Sequence, residues 1–569
     1  MANYTMRSNG TAISLAAAED GLPTEPSQCL SFTGHAAYAS GASPGDHFQL
    51  ADDGGDYRTT LGGKVSGTSG NKITYEAYSG DTPIINGSDL VGDNWSLSSG
   101  SVYKAVVTTK PEQIWIDETY GDRKDVDDAT GGGAETLDNE YDWFWDVDGS
   151  YFDNEATTLY LYAPGDPFTE YTTPGVEAAA RNDCFNTDEE EYLDIDGITF
   201  SKNNRSGMYL VYPSYITVKN CISEWAWKDG VWFYPDPGAA SQPGNIVEDS
   251  VFRYCGLAGI TCNIDPVDLT GVIIRRNKCY ENGRYQWRPT GSVWNGDFNF
   301  TGGIKTWSSR TVPAIGWEIY ENECYNNGPE GITDNRPGSV CGIWLDAMEG
   351  TAENPLKVYR NICYNNSGTG IFFEICRYVD VYNNVVYDCA LSSNVDNEWA
   401  GGGIRIDNRY EWISGDINVY NNTISGCWIG IQVTGYSVGA GELNNCDVKN
   451  NICSGNDIEL RASHGGDNGA DGSGNVYDNN CLGAEDTAFI SWGGSTYNTY
   501  AAWKTAHGES WDQVAGDPSF TDAGSDDYTL AAGSPCIGAG ENLGSPYNVA
   551  LMPSSSWPDA VVTGDQDDY

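Results

Sequence analysis

The sequence predicts an all-β fold: a right-handed parallel β-helix with a β-sandwich inserted near its N-terminus. Three observations predict it. A five-residue phrase recurs as Gly342-Ile343-Trp344-Leu345-Asp346, Gly370-Ile371-Phe372-Phe373-Glu374 and Gly403-Ile404-Arg405-Ile406-Asp407. A second phrase, a β-rich run ending at Asn, recurs as Ile319-Tyr320-Glu321-Asn322, Val358-Tyr359-Arg360-Asn361, Val381-Tyr382-Asn383-Asn384, Val419-Tyr420-Asn421-Asn422 and Val448-Lys449-Asn450-Asn451. With outlying copies at Asn220, Asp249, Asn277 and Asn480, these marks are spaced by 29, 28, 45, 39, 23, 38, 29 and 29 residues. Self-similarity at a period of about 20–50 residues, with two strand phrases per unit, indicates a solenoid of stacked β coils. The shortest spacing suits one bare coil and the longer ones a coil plus a loop. A leucine-rich repeat would need its Leu pattern and a propeller four strands per unit. Handedness follows from the rule for parallel crossovers.

In chain order, residues 1–30 read as an N-terminal cap segment and 31–88 as the first coils. There Ile73-Thr74-Tyr75-Glu76-Ala77-Tyr78 alternates as a strand and Pro83-Ile84-Ile85-Asn86-Gly87 ends like a corner. Across 89–175 the repeat vanishes. Ordinary strands such as Gln113-Ile114-Trp115-Ile116 and Thr158-Leu159-Tyr160-Leu161-Tyr162 flank an aromatic-acidic stretch, Tyr141 to Asp146, which predicts the inserted β-sandwich. The main β-helix, 176–540, resumes near Tyr192-Leu193-Asp194-Ile195 and carries the candidate active-site face. Its register runs through Val231, Ile260, Ile304, Ile431 and Ile458. The Asn marks read as turn residues, because Asn tolerates left-handed backbone and can ladder with its neighbours. The Pro-, Ser- and Asp-rich segment 541–569 reads as a loose acidic tail.

Composition narrows the function classes. With 81 acidic against 30 basic residues the formal charge is −51. That excludes nucleic acid and anionic membrane surfaces as natural partners and disfavours a polyanionic substrate unless calcium or a basic cleft intervenes. No stretch approaches the ~20 apolar residues that span a bilayer. The first 30 residues lack a signal pattern. An extracellular protein whose leader is absent from this sequence, or assembly into a virion, is the expected localisation. The 16 cysteines contain no Cys-x-x-Cys pair. Two places after the Asn mark, Cys279, Cys324, Cys363 and Cys453 alternate with Val, Ile and Leu, so cysteine behaves as a small core hydrophobe. The four histidines, His35, His47, His464 and His507, fall outside the carboxylate window. A Ser-His-Asp or zinc mechanism centred there is disfavoured.

The chemistry sits in the first phrase. In a strand, side chains alternate faces, so Ile343 and Leu345 point one way and Trp344 and Asp346 the other. Stacked coils then align Asp346, Glu374 and Asp407 as an outward column with neighbours roughly 5 Å apart. Carboxylates that close repel each other, and a pair about 5–5.5 Å apart is what a retaining glycosidase requires. The bland alternative is a solvated acidic face. Asp346 and Asp407, two coils apart, would instead suit an inverting pair, or Asp407 could bind sugar hydroxyls or tune Glu374. Lys305, Arg405, Arg377, Arg310 and Arg336 are candidates to hold the nucleophile ionised while Glu374 keeps its proton; plain charge compensation is the other reading. Trp307 and Trp344, with Trp232 on the same face and Trp287, Trp294 and Trp412 on loops, are candidate stacking platforms for sugar rings. Glu349 and Asp334 are nearby loop acids. The candidate substrate-binding set is Lys305, Trp307, Trp344, Arg377, Arg405 and Asp407.

The stretch from Cys341 to Asp388, with Gly302-Gly303-Ile304-Lys305 one coil earlier, resembles the active-site region of glycoside hydrolase family 120, the β-helical β-xylosidases. That family also carries a β-sandwich inserted near the start of the helix. The end, Asp517-Pro518-Ser519-Phe520, Asp527-Tyr528-Thr529-Leu530 and Gly533-Ser534-Pro535, resembles the closing motif of secreted β-helix carbohydrate enzymes. By this resemblance Asp346 is the nucleophile and Glu374 the acid/base, and xylose-type substrates are implied by it alone. Here 28 residues separate the two carboxylates, with extra residues at 352–357, so the outer loop is expected to be remodelled. The expected function is hydrolysis of a plant-type or microbial glycan without a cofactor, calcium being possible as a structural ion. The alternatives are a polysaccharide lyase using Lys305 or an arginine with calcium held on the acid column, and a trimeric virion tailspike that binds or cleaves a surface glycan.

Overall fold

In the computed structural model the described residues are 1–547, apart from 53, 125–136, 147–156, 236–241, 265–268, 284–299, 311, 329–338, 391–400, 409–413, 436–442, 465–472, 487–488 and 508–511. They form a right-handed parallel β-helix of three long sheets. The first runs from Asn3–Met6 through His47–Leu50, Ile73–Ala77 and Leu193–Asp196 to Val476–Asp478. The second runs from Tyr57–Arg58 to Ile452–Cys453, and the third from Leu61–Gly62 through Asp183–Asn186 to Ile490–Trp492. Each coil visits the three sheets in turn, as Leu193–Asp196, Thr199–Asn203 and Ser206–Val211 do.

The recurring phrases fold this way for specific reasons. In the third sheet Ile343 pairs in register with Ile371, which pairs with Ile404 and then Ile431, and all four are buried. The glycine before each Ile is obligatory by close approach. A Cβ at Gly342 would lie 2.6 Å from the Gly370 carbonyl oxygen, and one at Gly370 would lie 2.8 Å from that of Gly403. The Asn marks build an internal ladder. Nδ2 of Asn277, Asn322, Asn361, Asn384, Asn422 and Asn451 each donates to Oδ1 of the next, ending on Asn480, at 2.9–3.0 Å.

The expectation that one Asn both turns and ladders needs correction. The left-handed residue is the one before each rung, such as Arg276, Glu321, Arg360, Asn383 and Asn421, all with φ of 53–55°. Asn220 and Asp249 hold that turning position themselves, and Cys221 and Ser250 stand on the rung beside them. A second ladder, Asn282 to Asn327 to Asn366, lines the next corner. All 16 cysteines are buried thiols outside any disulfide, with Cys279, Cys324 and Cys363 in register on the second sheet. Burial pushes the Cys262 thiol well up and the Cys341 thiol to about 12.

Three boundaries move. The parallel sheets start at Asn3, not near 31, because Tyr4 and Met6 bury against the His47–Leu50 strand. The insert extends from Ser88–Leu90 to Val176–Ala179, strands that pair antiparallel with each other. It forms one sheet of four strands and one of five around Trp95, Ile114, Trp143 and Leu159. The last parallel strand ends at Trp492, short of 540, and the following chain returns along the outside. Tyr528 and Phe520 pack on Ile362, Val385 and Tyr387. Tyr547, in the expected loose tail, wedges its ring against Tyr382 and Tyr420 at 5.1 and 5.0 Å and donates a hydrogen bond to Asp380. Among the described residues no helix is long and apolar enough to cross a membrane.

Candidate active site

The outer face of the third sheet carries two adjacent columns. In the first, Trp232, Thr261, Lys305, Trp344, Phe372, Arg405 and Gln432 follow each other in register. In the second, the order is Asn263, Trp307, Asp346, Glu374, Asp407 and Thr434. Asp346 and Glu374 are thus Cα partners on neighbouring strands, Ser339–Asp346 and Ile371–Glu374, about 4.8 Å apart across the ladder. Asp407, on Ile404–Asn408, is two strands from Asp346.

The residue after each of the first two carboxylates has a left-handed backbone, Ala347 at φ 54° and Ile375 at φ 55°. Their N–H groups donate to the carbonyls of Glu374 and Asp407, both at 2.7 Å. For a β-branched residue this conformation is an outlier that costs about 1–3 kcal/mol, and such strain gathers at functional sites. It turns the chain sharply out of the sheet directly after the carboxylate.

Cations hold the two flanking carboxylates. Lys305 Nζ lies 2.9 Å from Asp346 Oδ2 and 3.3 Å from the centroid of the Trp344 ring. The Trp344 and Phe372 rings are 5.1 Å apart, and the Arg405 guanidinium lies 5.0 Å from the Phe372 centroid. Arg405 in turn pairs with Asp407 through its NH2 group. The result is a cation–aromatic–aromatic–cation stack, with each cation bonded to an outer member of the acid column.

The predicted residues separate by exposure. Trp307 is 40 % exposed and stands in register beside Asp346, open to a ligand. The Asp346 side chain is 20 % exposed, and Glu374 is 5 % exposed. Trp344 is fully buried, so it is a wall of the site and not the platform expected from the sequence. Arg405 and Asp407 are each 2 % exposed and engage one another, where substrate contact was expected. Lys305, nearly buried, is committed to Asp346 and Trp344.

Arg377 lies at the next corner. Its guanidinium bonds Asp416 at 2.8 Å and approaches Glu349 at 3.7 Å, and Arg310 holds Glu349 at 3.3 Å. This chain from Arg310 to Asp416 was not foreseen; only the isolated charges could be read. Among the described residues, Glu349 and Asp416 are the carboxylates these two arginines bond. Trp287, Trp294, Trp412, Arg336 and Asp334 lie outside the described residues. Among the described residues, no group of three or more His, Cys, Asp and Glu side chains is disposed to hold a metal ion.

Comparison with known proteins bears on the fold. Residues 224–411 match the family model described as a right handed beta helix region. No curated protein matches the chain by sequence. Among solved structures, the complex of XylC with xylose superposes with a TM-score of 0.54 at 17% identity, covering 79% of this chain and 75% of that one. A structure named only as a glycoside hydrolase gives 0.48 at 12% identity, over 84% and 97% of the two chains. The lacto-N-biosidase of Eubacterium ramulus, from glycoside hydrolase family 136, gives 0.45 at 13% identity, over 90% and 67%. The family-model match and the XylC superposition show the right-handed parallel β-helix, and the likeness to XylC is one of architecture.

Proposed function

We propose that the protein is a carbohydrate-active enzyme, a glycoside hydrolase that cleaves a neutral glycan by a retaining two-carboxylate mechanism on the third sheet. Asp346 is the nucleophile and Glu374 the acid/base. The observation that carries this reading is the direct register of the two carboxylates on adjacent strands, beside the exposed indole of Trp307. One strand spacing, about 4.8 Å, matches the short carboxyl separation of retaining enzymes rather than the roughly 6.5–9.5 Å that leaves room for water in inverting ones.

In the proposed reaction the Asp346 carboxylate attacks the anomeric carbon while Glu374 delivers its proton to the leaving oxygen. The glycosidic C–O bond breaks and an ester to Asp346 forms. Glu374, now ionised, then takes a proton from water, whose oxygen displaces Asp346 and restores both groups. Lys305 holds the Asp346 carboxylate in place. Xylose-type substrates are proposed on the family resemblance alone. Secretion to the cell exterior suits such a substrate.

The test is hydrolysis of a panel of glycans and aryl glycosides, with and without chelator, by the wild type, Asp346→Ala and Glu374→Ala. Reducing-sugar release that chelator spares and either substitution abolishes is the expected result. Unsaturated uronate products absorbing in the ultraviolet, lost with chelator, would make the protein a lyase. No turnover on any member would shift the reading to a glycan-binding spike.

A further inference from the structure

Beyond the acid column the outer face of the third sheet runs on through the strands Ile429–Gly435 and Ile458–His464. Leu460 and Ala462 face the core, so Arg461 between them faces outward. It follows Arg405 and Gln432 in register and precedes Ser491. In the neighbouring column Thr434 and Ser463 follow Asp407. Arg461 is half-buried and stands three strands, about 14 Å, past the strand of Glu374.

Cations are scarce in this chain, 30 against 81 acidic residues, and the others described on and beside this face are engaged. Lys305 bonds Asp346, Arg405 pairs with Asp407, Arg310 holds Glu349 and Arg377 bonds Asp416. Arg461 differs from these four: it makes no ion pair or hydrogen bond with a described residue. Glu459, two places before it on the same strand, accepts instead from Gly455 and Asn456. Burial first, then the like charge of Arg405, lowers the Arg461 pKa, so its charge is held at a cost that a bound anion would offset. Gln432 beside it donates from Nε2 to Thr434, while its buried Oε1 has no hydrogen-bond partner among the described residues. This end of the face is thus polar and not satisfied within itself. A guanidinium so placed, with the hydroxyls of Thr434, Ser463 and Ser491 in adjoining register positions, fits an anion borne on a sugar ring.

We propose that Arg461 is an anion-recognising subsite that takes the acidic group of a charged sugar in the glycan, a uronate carboxylate or a sulfate ester. The planar fork of the guanidinium matches either group with two parallel hydrogen bonds. The reacting pair then lies between two sugar-binding places, the exposed Trp307 one strand before Asp346 and Arg461 three strands after Glu374. Resting on the reading of Asp346 and Glu374 as the reacting pair, this subsite narrows the substrate to a glycan of neutral backbone with occasional acidic substituents. A polyanion would be repelled by a chain of formal charge −51, whereas a single anion two or three sugar rings from the cleaved bond meets the one described cation of this face that has no partner in the chain.

The test is a binding titration that needs no turnover. The side-chain resonances of Arg461 and Gln432 are followed by ¹⁵N NMR, in the presence of chelator, as glucuronate, the uncharged methyl ester of glucuronate or glucose 6-sulfate is added. Arg461 is assigned by the signal lost in Arg461→Gln. Glucuronate should shift both resonances saturably and the ester should shift neither. Read from the Gln432 amide, glucuronate affinity should fall about tenfold or more in Arg461→Gln, the loss of a charge-assisted hydrogen bond. Arg461→Lys, which keeps the charge without the fork, should lose less, and it decides the matter if Arg461→Gln does not fold. Saturable binding of glucose 6-sulfate but not glucuronate would identify the anion as a sulfate ester. No saturable shift with either anion, an equal shift with the ester, or an affinity indifferent to both substitutions overturns the proposal. Because no bond is cleaved, a failed titration leaves the roles of Asp346 and Glu374 standing, and absence of hydrolysis leaves the titration standing.

Discussion

The asparagine ladder at the first corner and the acid column on the third sheet are built by the same operation and reach opposite energetic ends. Each stacks a similar side chain on consecutive coils at the spacing of parallel strands. An amide is donor and acceptor at once, so Asn322, Asn361 and Asn384 satisfy one another in a buried row. The tyrosines on the outer faces repeat this with rings: Tyr325 on Tyr364 and Tyr364 on Tyr387, both at 4.9 Å and within 1° of parallel. Carboxylates cannot satisfy one another. Their column persists with a cation bound at each flank. Self-complementary stacks build the solenoid, and the stack that needs outside help marks the chemistry.

The largest effect breaks the charged stack. Asp346→Ala and Glu374→Ala should each lower kcat on any hydrolysed glycoside by about a thousand-fold, within the range for loss of a nucleophile or proton donor. Asp346→Ala should in addition lower the urea midpoint, because it leaves the nearly buried Lys305 ammonium without its carboxylate. Breaking the neutral stack should cost stability alone. Asn361→Ala removes the acceptor shared by the Asn322 backbone and side-chain amides and a donor to the Ile319 carbonyl and to Asn384 and should cost about 2–3 kcal/mol in urea unfolding, with activity retained in the folded fraction.

A third stack, at the N-terminal end, adds a pH arm. His35 packs edge-on against Phe48 and Tyr75, and burial, followed by the Lys64 charge, lowers its pKa from 6.5 to about 3. Between those values the unfolded chain binds a proton that the native one does not. Stability therefore falls as pH drops through about 6.5, and the loss levels off near 3. The stability advantage of wild type over His35→Leu should shrink by about 1.4 kcal/mol per pH unit across that window, read from urea curves at pH 6, 5 and 4. The smallest effect lies at the rim of the column. Trp307→Ala should raise KM about fivefold with kcat nearly unchanged, the loss of one stacking face at about 1 kcal/mol.

Much of this was legible in the sequence because each coil repeats its own grammar. Gly before Ile, apolar residues at alternate places and Asn at the corner align the strands, and alignment alone puts Asp346, Glu374 and Asp407 in one column. Solvent was not legible. Register tells which side chains are neighbours, but not that Lys305 lies on Trp344 or that Arg405 turns to Asp407 two places on. That last pairing had a signal, since residues two apart on a strand share a face. Asn220 and Asp249 misled because turn and rung are adjacent positions and either can hold a polar residue. The strand Asn3–Met6 is too short to show a period. The strap that reaches Tyr547 is held by a few aromatic contacts and hydrogen bonds that composition does not reveal.

The central claim is that the reacting carboxylates are one strand apart, and the stereochemistry of the first product tests it most directly. Proton NMR of the reaction mixture, recorded before mutarotation, reports the anomer released from a hydrolysed glycoside. Net retention is the result predicted for Asp346 and Glu374. Inversion would contradict it and move the chemistry to a pair two strands apart, Asp346 and Asp407.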